Sequence, residues 1–160
     1  MPNILQPAEI VDIGIEKEKK RREFYDLAAK KFSDEQKLAD LFARLRDWED
    51  EHVRRFQELR DSLTMGQYTE SYPGETEAYM QALVESELYD MITPERFAEL
   101  VENEFDALDI GIGFEKDAVL FFSGLALYLD ENEREVVNEL IKEERQHMLY
   151  LFNLKNELKG

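Results

Sequence analysis

The sequence predicts an all-α protein, a four-helix bundle made of two helical hairpins that a long crossover joins. The 160 residues include only 4 Pro and 7 Gly, so the chain has few residues that break helices. Apolar residues also recur every three or four positions in four long stretches, which is the spacing of one buried helix face. The whole chain, residues 1–160, is therefore expected to form a single domain.

The first hairpin is predicted over residues 7–63. Its first helix begins near Pro7, because proline suits a first helical turn, and ends at about Phe32. The run Ser33-Asp34-Glu35-Gln36 has the pattern of a capping box and indicates that the second helix opens there. The apolar stripe of that helix includes Leu38, Leu41, Phe42, Leu45, Trp48, Phe56, Leu59 and Leu63.

The crossover is predicted over residues 64–103. A bare loop of this length is unusual in a compact domain, so we expect one or two short helices within it. Tyr72-Pro73-Gly74 predicts a turn, and Thr93-Pro94-Glu95 predicts the start of a helix. The tyrosines of this segment are expected to pack against the bundle or to form a subunit interface: Tyr68, Tyr72, Tyr79 and Tyr89.

The second hairpin is predicted over residues 104–159. Asn103 precedes an acid by three residues and can cap the third long helix, which we expect to run to about Leu129. Asp130 also precedes an acid by three residues, and this capping box opens the fourth long helix. Glycines inside the third helix each cost up to about 1 kcal/mol relative to Ala and so predict close approach of other helices: Gly111, Gly113 and Gly124.

The two hairpins resemble each other in sequence. Residues 11–19 align with residues 108–116 at an offset of 97 positions, and Phe24-Tyr25 then falls on Phe121-Phe122. Each hairpin is therefore interpreted as a copy of the other.

Charged and imidazole side chains interrupt the apolar stripes of all four long helices. A charge on a face that should be buried is costly unless it is paired, protonated or bound to a metal. Helical spacing distinguishes the interrupting acids from their sequence neighbours Glu16, Glu51 and Glu143, which do not lie on the apolar stripes. The interrupting residues are Glu18, Glu49, His52, Glu115, Glu144 and His147.

These residues are predicted to lie in one layer in the middle of the bundle. Glu18 lies 15 residues before the turn near Ser33 and Glu49 lies 16 residues after it. Both therefore sit about 23 Å from that turn. In the second hairpin the corresponding acids lie 15 and 14 residues from the turn near Asp130.

The residue types indicate a dinuclear metal site. Glu49 and His52 are three residues apart on one helix face, as are Glu144 and His147, so each pair presents an oxygen and a nitrogen together. One Glu from each of two helices, with a Glu-x-x-His from each of two others, is the ligand set of di-iron and di-manganese bundles. Four carboxylates also balance the charge of two divalent ions. These residues therefore predict a site for two divalent ions, Fe or Mn, for which Zn could substitute.

Four motifs carry a further resemblance. They are Glu18 followed seven residues later by Tyr25, Glu49-x-x-His52, Gly113-Phe114-Glu115-Lys116-Asp117, and Glu144-x-x-His147. Together they resemble the rubrerythrin branch of the ferritin-like superfamily, over most of the chain outside the crossover. The resemblance implies a ferritin-like bundle in which all six residues ligate iron, with Glu49 and Glu144 bridging.

The chain departs from rubrerythrins at two points. Rubrerythrins carry a further Glu three residues before the ligand of the third helix, and this position is Ile112 here. They also end in a Cys-rich rubredoxin domain, and this chain has no Cys. The resemblance thus implies a protein reduced to its diiron domain, with a symmetric site of six ligands.

The implied function is that of a non-haem diiron oxidoreductase, which reduces hydrogen peroxide or dioxygen. The chain has no second redox group, so the electrons need an external donor such as a rubredoxin-like protein. Tyr25 is expected either to act near the metals or only to pack in the core, and Arg22 is expected to reach solvent. A ferroxidase or iron-storage protein, which would assemble into a hollow shell, and a metal-free helical module that binds a partner are the alternatives.

The composition excludes other classes of partner. With 37 acidic and 20 basic residues the net charge is −17, which disfavours nucleic acid and anionic membrane surfaces. The absence of Cys rules out disulfides and thiolate metal sites. The start of the sequence has no basic stretch followed by an apolar one, so we expect no signal peptide and a cytoplasmic protein. As a separate expectation, the chain forms a homodimer.

Overall fold

Helices account for the regular structure of the described residues. The computed structural model describes residues 6–63, 74–85, 89–90 and 92–160, and in these ranges it contains six α-helices and no strand. They are α1 (Pro7–Lys31), α2 (Gln36–Leu63), α3 (Gly74–Val84), α4 (Pro94–Leu100), α5 (Glu104–Ala126) and α6 (Glu131–Lys159). The all-α prediction is confirmed, as are the short helices expected in the crossover. In the described part, no helix is long and apolar enough to cross a membrane.

The four long helices pack as two hairpins, in a manner compatible with a helical bundle. Helices α1 and α2 form one hairpin, and α5 and α6 form the other. The hairpins meet where α1 contacts α5 and where α2 contacts α6. The shorter α3 lies against α5, and α4 lies against α1.

Side-chain caps fix most of the predicted helix starts. The side chain of Asn103 accepts a hydrogen bond from the Asp106 N–H at 3.0 Å. Asp130 accepts from the Glu133 N–H at 2.9 Å, so both capping boxes are confirmed. Thr93 caps α4 in the same way, with Pro94 at the first helical position.

Two predicted boundaries are wrong by a few residues. α2 begins at Gln36 rather than directly after Ser33, because a turn intervenes in which the Glu35 N–H bonds the Phe32 carbonyl at 2.9 Å. α5 ends at Ala126 rather than near Leu129. The backbone N–H groups of residues 127–129 bond to carbonyls three residues earlier, as in a 3₁₀ turn, rather than four residues earlier as in an α-helix. The last residue of the predicted turn Tyr72-Pro73-Gly74 is the first residue of α3. The other two residues of that turn, and Tyr68, lie outside the described ranges.

The apolar core is divided into two clusters by a polar layer. One cluster joins the start of α1 and the end of α2 to the end of α5 and the start of α6. The other joins the opposite ends of the same four helices and includes Tyr89, Ile92 and Phe97 from the crossover. α2 therefore ends, and α5 begins, at opposite ends of the bundle. The six residues predicted from the stripes lie in the layer between the two clusters.

Glycines in α5 differ in how closely other helices approach them. A Cβ atom on Gly111 would lie 3.2 Å from the side chain of Leu151, and one on Gly124 would lie 3.0 Å from Met80 and Leu83. A Cβ atom on Gly113 would meet nothing within 4 Å among the described atoms. The predicted close approach is therefore confirmed at Gly111 and Gly124 and is wrong at Gly113.

Gly113→Ala is expected to stabilise the protein. The added methyl group meets open space, so the change keeps only the helix-propensity gain, up to about 1 kcal/mol in the free energy of unfolding. Urea denaturation of the two proteins measures this difference. Gly111→Ala is the matched control and should gain less or lose stability, because its methyl group presses on Leu151. Equal gains at both positions would contradict the packing described here.

Candidate metal centre

All six residues predicted from the stripes are buried together in the polar layer. The four carboxylate residues have no solvent exposure, and the two imidazoles are 2% and 4% exposed. Helix α1 supplies Glu18, α5 supplies Glu115, and α2 and α6 each supply a Glu and a His. The neighbouring acids Glu16 and Glu51 are exposed and Glu143 is half-buried, as helical spacing predicts.

The six residues form two overlapping groups. Their ligand atoms lie within 4.8 Å of one another in each group. The first group is Glu18, Glu49, His52 and Glu144, and the second is Glu49, Glu115, Glu144 and His147. Glu49 and Glu144 belong to both groups, so each could share its two oxygens between neighbouring cations.

Glu144 is the carboxylate nearest to both imidazoles. His52 Nδ1 lies 2.6 Å from Glu144 Oε1, and His147 Nδ1 lies 3.3 Å from Glu144 Oε2. Other carboxylate oxygens surround the same two nitrogens at 3.7–3.9 Å. Both rings thus turn Nδ1 toward the middle of the layer.

The donor atoms of the layer fit a divalent metal. Both oxygens of Glu18, Glu49 and Glu144 make no hydrogen bond within the described part of the chain. The same is true of Glu115 Oε2 and of Nδ1 of both histidines. Buried polar atoms without hydrogen bonds are costly, and a cation that accepts oxygen and nitrogen ligands would satisfy all of them at once.

Without a metal, the carboxylates cannot all carry their charge. Burial raises the pKa of Glu49 well above its usual value, and the nearby charge of Glu144 raises it further. Burial and Glu144 act in the same way on the pKa of Glu115. Burial opposes ionisation of Glu144 as well, but the charge of His52 outweighs it and holds the Glu144 pKa well below its usual value.

The surrounding carboxylates favour the charged form of both imidazoles. Burial favours the neutral ring of His147, yet the nearby carboxylates of Glu144 and Glu49 outweigh burial and raise its pKa to about 9. Burial likewise disfavours charge on His52, but the neighbouring carboxylates raise its pKa well above the usual value. The layer therefore favours bound protons where no metal ion is present, because protons and metal ions compete for the same oxygen and nitrogen atoms.

Tyr25 contacts the layer directly. It is fully buried, and its hydroxyl donates a hydrogen bond to Glu115 Oε1 at 2.6 Å. Burial and the charge of Glu115 raise the pKa of Tyr25 well above its usual value, so the phenol keeps its proton. Tyr25 therefore packs in the core and also positions a predicted ligand.

A buried cation, Arg21, was not predicted from the sequence. Its guanidinium group forms an ion pair with Glu18, and its Nε lies 3.6 Å from Glu49 Oε2. Arg21 also donates a hydrogen bond to the hydroxyl of Tyr89 at 2.6 Å. The signal was present in the sequence, because Arg21 follows Glu18 by three residues on the same helix face. Its neighbour Arg22 reaches solvent, as expected.

The histidine side of the layer opens toward the surface. Trp48 stacks on the ring of His147, with 4.8 Å between ring centroids and 8° between the planes. His52 Nε2 lies 3.3 Å from Glu143 Oε2, which in turn pairs with Arg55. A cavity of about 190 Å³ lies between this side of the layer and the protein surface. It is lined by Trp48, Glu51, His52, Glu143, Gln146, His147 and Tyr150.

Glu143→Ala is expected to weaken metal binding without changing the number of ions bound. Glu143 orients the outer nitrogen of His52, and the loss of such a partner typically costs about 10–100-fold in metal affinity. Competition with a chelator of known affinity measures the change. Complete loss of one ion would instead indicate that Glu143 is itself a ligand.

The chain matches no protein-family model, and comparisons with curated proteins and with solved structures also found no match. The chemistry of the centre is therefore inferred from its own residues. They offer two adjacent positions for cations, each with three carboxylates and one imidazole.

Proposed function

We propose that this protein is a rubrerythrin-like diiron oxidoreductase with a ferritin-like fold. It reduces hydrogen peroxide, or dioxygen, with electrons from an external donor protein. The observation that carries the proposal is the pair of overlapping Glu and His groups that share Glu49 and Glu144. Two hairpins, joined by a segment that carries short helices, support the ferritin-like arrangement.

The ligand roles follow from the two groups. Glu18 and His52 would hold one ion, Glu115 and His147 would hold the other, and Glu49 and Glu144 would be shared by both. When bound, two ferrous ions supply the two electrons that convert hydrogen peroxide, with two protons, into two molecules of water. Zinc fits the same donors but carries no redox chemistry, so it serves as an inert substitute.

The surrounding residues control access to the centre. The two apolar clusters exclude bulk water from above and below the layer. The cavity beside His52 and His147 is large enough for small oxidants. The Tyr25 hydroxyl holds Glu115 in place through a bond that persists because its proton is retained.

Stopped-flow oxidation of the Fe(II)-loaded protein tests the proposal. Mixing with hydrogen peroxide should oxidise the iron faster than mixing with dioxygen, and two irons per chain should react. The zinc-loaded protein is the control and should show no reaction. A preference for dioxygen with formation of a ferric mineral, together with the mass of a hollow shell, would favour iron storage instead. Protein that retains no metal after metal-replete expression would refute both.

A further inference from the structure

The two halves of the centre differ in charge, although the two hairpins resemble each other. The sequence repeat places Glu18 and Glu115 at equivalent positions, 97 residues apart. Three residues after Glu18 stands Arg21, whereas three residues after Glu115 stands Ala118. A positive charge is therefore present beside one predicted ligand and missing beside its counterpart.

Arg21 is held at the Glu18 side of the centre. The side chain has no solvent exposure and forms an ion pair with Glu18. Its Nη1 donates to the hydroxyl of Tyr89, and that hydroxyl donates to Asp117 Oδ2 at 2.8 Å. The guanidinium carbon also lies 5.8 Å from the centre of the Tyr89 ring. The crossover thus fixes the position of this cation, and an arginine keeps its charge in proteins.

The Glu115 side of the centre has a neutral partner instead. The phenol of Tyr25 donates to Glu115 Oε1, and it carries no charge. Among the described residues, no Lys or Arg lies within ion-pair distance of Glu115 or His147. In the described part of the chain, Glu115, the carboxylate that belongs to this position alone, therefore has no Lys or Arg beside it, and only the shared Glu49 lies close to Arg21.

We propose that the two metal positions are inequivalent, and that Arg21 causes the Glu115–His147 position to fill before the Glu18–His52 position. This inference rests on the proposed function. A fixed cation beside Glu18 offsets part of the attraction between that carboxylate and a divalent ion and also repels the ion. Both effects are strongest at the Glu18–His52 position, because Arg21 pairs with Glu18 there, whereas its 3.6 Å approach to the shared Glu49 bears on both positions. Repulsion between two bound ions separates the binding steps in any dinuclear site, but it does not decide which position fills first.

The two histidines make the order of filling measurable in the unmodified protein. The chain contains only these two, and each group contains one. Metal-free protein labelled with ¹⁵N-histidine is titrated with zinc chloride, and the imidazole signals are assigned with a His52→Gln variant. We expect the His147 signals to change up to one equivalent of zinc and the His52 signals to change between one and two. A change at His52 first, or at both together, would overturn the inference.

Variants of Arg21 test the cause. Arg21→Gln removes the charge and should raise affinity at the Glu18–His52 position about tenfold, so that both imidazoles respond together. Arg21→Lys keeps the charge and should keep the order. Arg22→Gln removes the same charge one residue away, from a side chain that is 42% exposed and paired with Asp50, and should change nothing.

The outcomes separate this inference from the proposed function. If no zinc binds to the unmodified protein, the dinuclear site itself is refuted. If two zinc ions bind and Arg21→Gln leaves the order of filling unchanged, only the role of Arg21 is refuted. Should Arg21→Gln fail to fold, the titration of the unmodified protein still decides the order, and loss of that order in Arg21→Lys would contradict a role for the charge.

Discussion

Replacing Glu144 by Ala is expected to abolish binding of both metal ions. Glu144 belongs to both ligand groups and is the carboxylate closest to Nδ1 of His52 and of His147. Loss of an outer partner alone costs about 10–100-fold in affinity, so loss of a shared ligand should cost more than about 100-fold. Elemental analysis of protein purified after metal-replete expression measures the metal content, and a zinc titration measures the affinity.

Glu51→Ala is the matched control for this variant. Glu51 lies between Glu49 and His52 in the sequence but is exposed and pairs with Arg54. Its removal should leave two ions per chain and an unchanged affinity. Equal losses in Glu144→Ala and Glu51→Ala would show that helical spacing has selected the wrong acids.

Removing the metal from the loaded protein is expected to lower its melting temperature by about 8–16 °C. Metal at a thousand times its dissociation constant stabilises the folded state by about 4 kcal/mol, and each kcal/mol shifts Tm by about 2–4 °C in a protein of this size. The physical source is the buried layer, where the carboxylate oxygens of Glu18, Glu49 and Glu144 make no hydrogen bonds within the described part of the chain. Differential scanning calorimetry with and without a chelator measures the shift.

The Glu144→Ala protein provides the control for the thermal measurement. Because it should bind no metal, its melting temperature should be the same with and without the chelator. An equal shift in both proteins would mean that the chelator acts elsewhere on the chain. The absence of any shift in the unmodified protein would contradict a metal in the layer.

Helical periodicity made most of the layer predictable. The choice of Glu18 over Glu16, and of Glu144 over Glu143, depends only on which positions share a helix face. Distance from each turn is also a local property, because every residue adds the same rise. The starts of α5 and α6 were predictable for the same reason, since a cap and its partner lie three residues apart.

Other features depend on contacts between distant parts of the chain. Arg21 is buried because Tyr89, 68 residues away, accepts its hydrogen bond, and no local pattern indicates that contact. The sequence prediction for Tyr89 was packing or an interface, which does not anticipate its bond to Asp117. Gly113 was expected to contact another helix because propensity alone cannot tell which side of α5 is covered.

The division of the core has a consequence for the order of folding and metal binding. Each end of the bundle has its own apolar cluster, and both clusters are built without any of the six predicted ligands. Small zinc domains fold only when their ion binds, because they have no other core. Here the chain is expected to fold first and to acquire its ions afterwards, through the opening beside Trp48. Maturation of the newly synthesised protein would then be limited by the supply of metal in the cell rather than by folding.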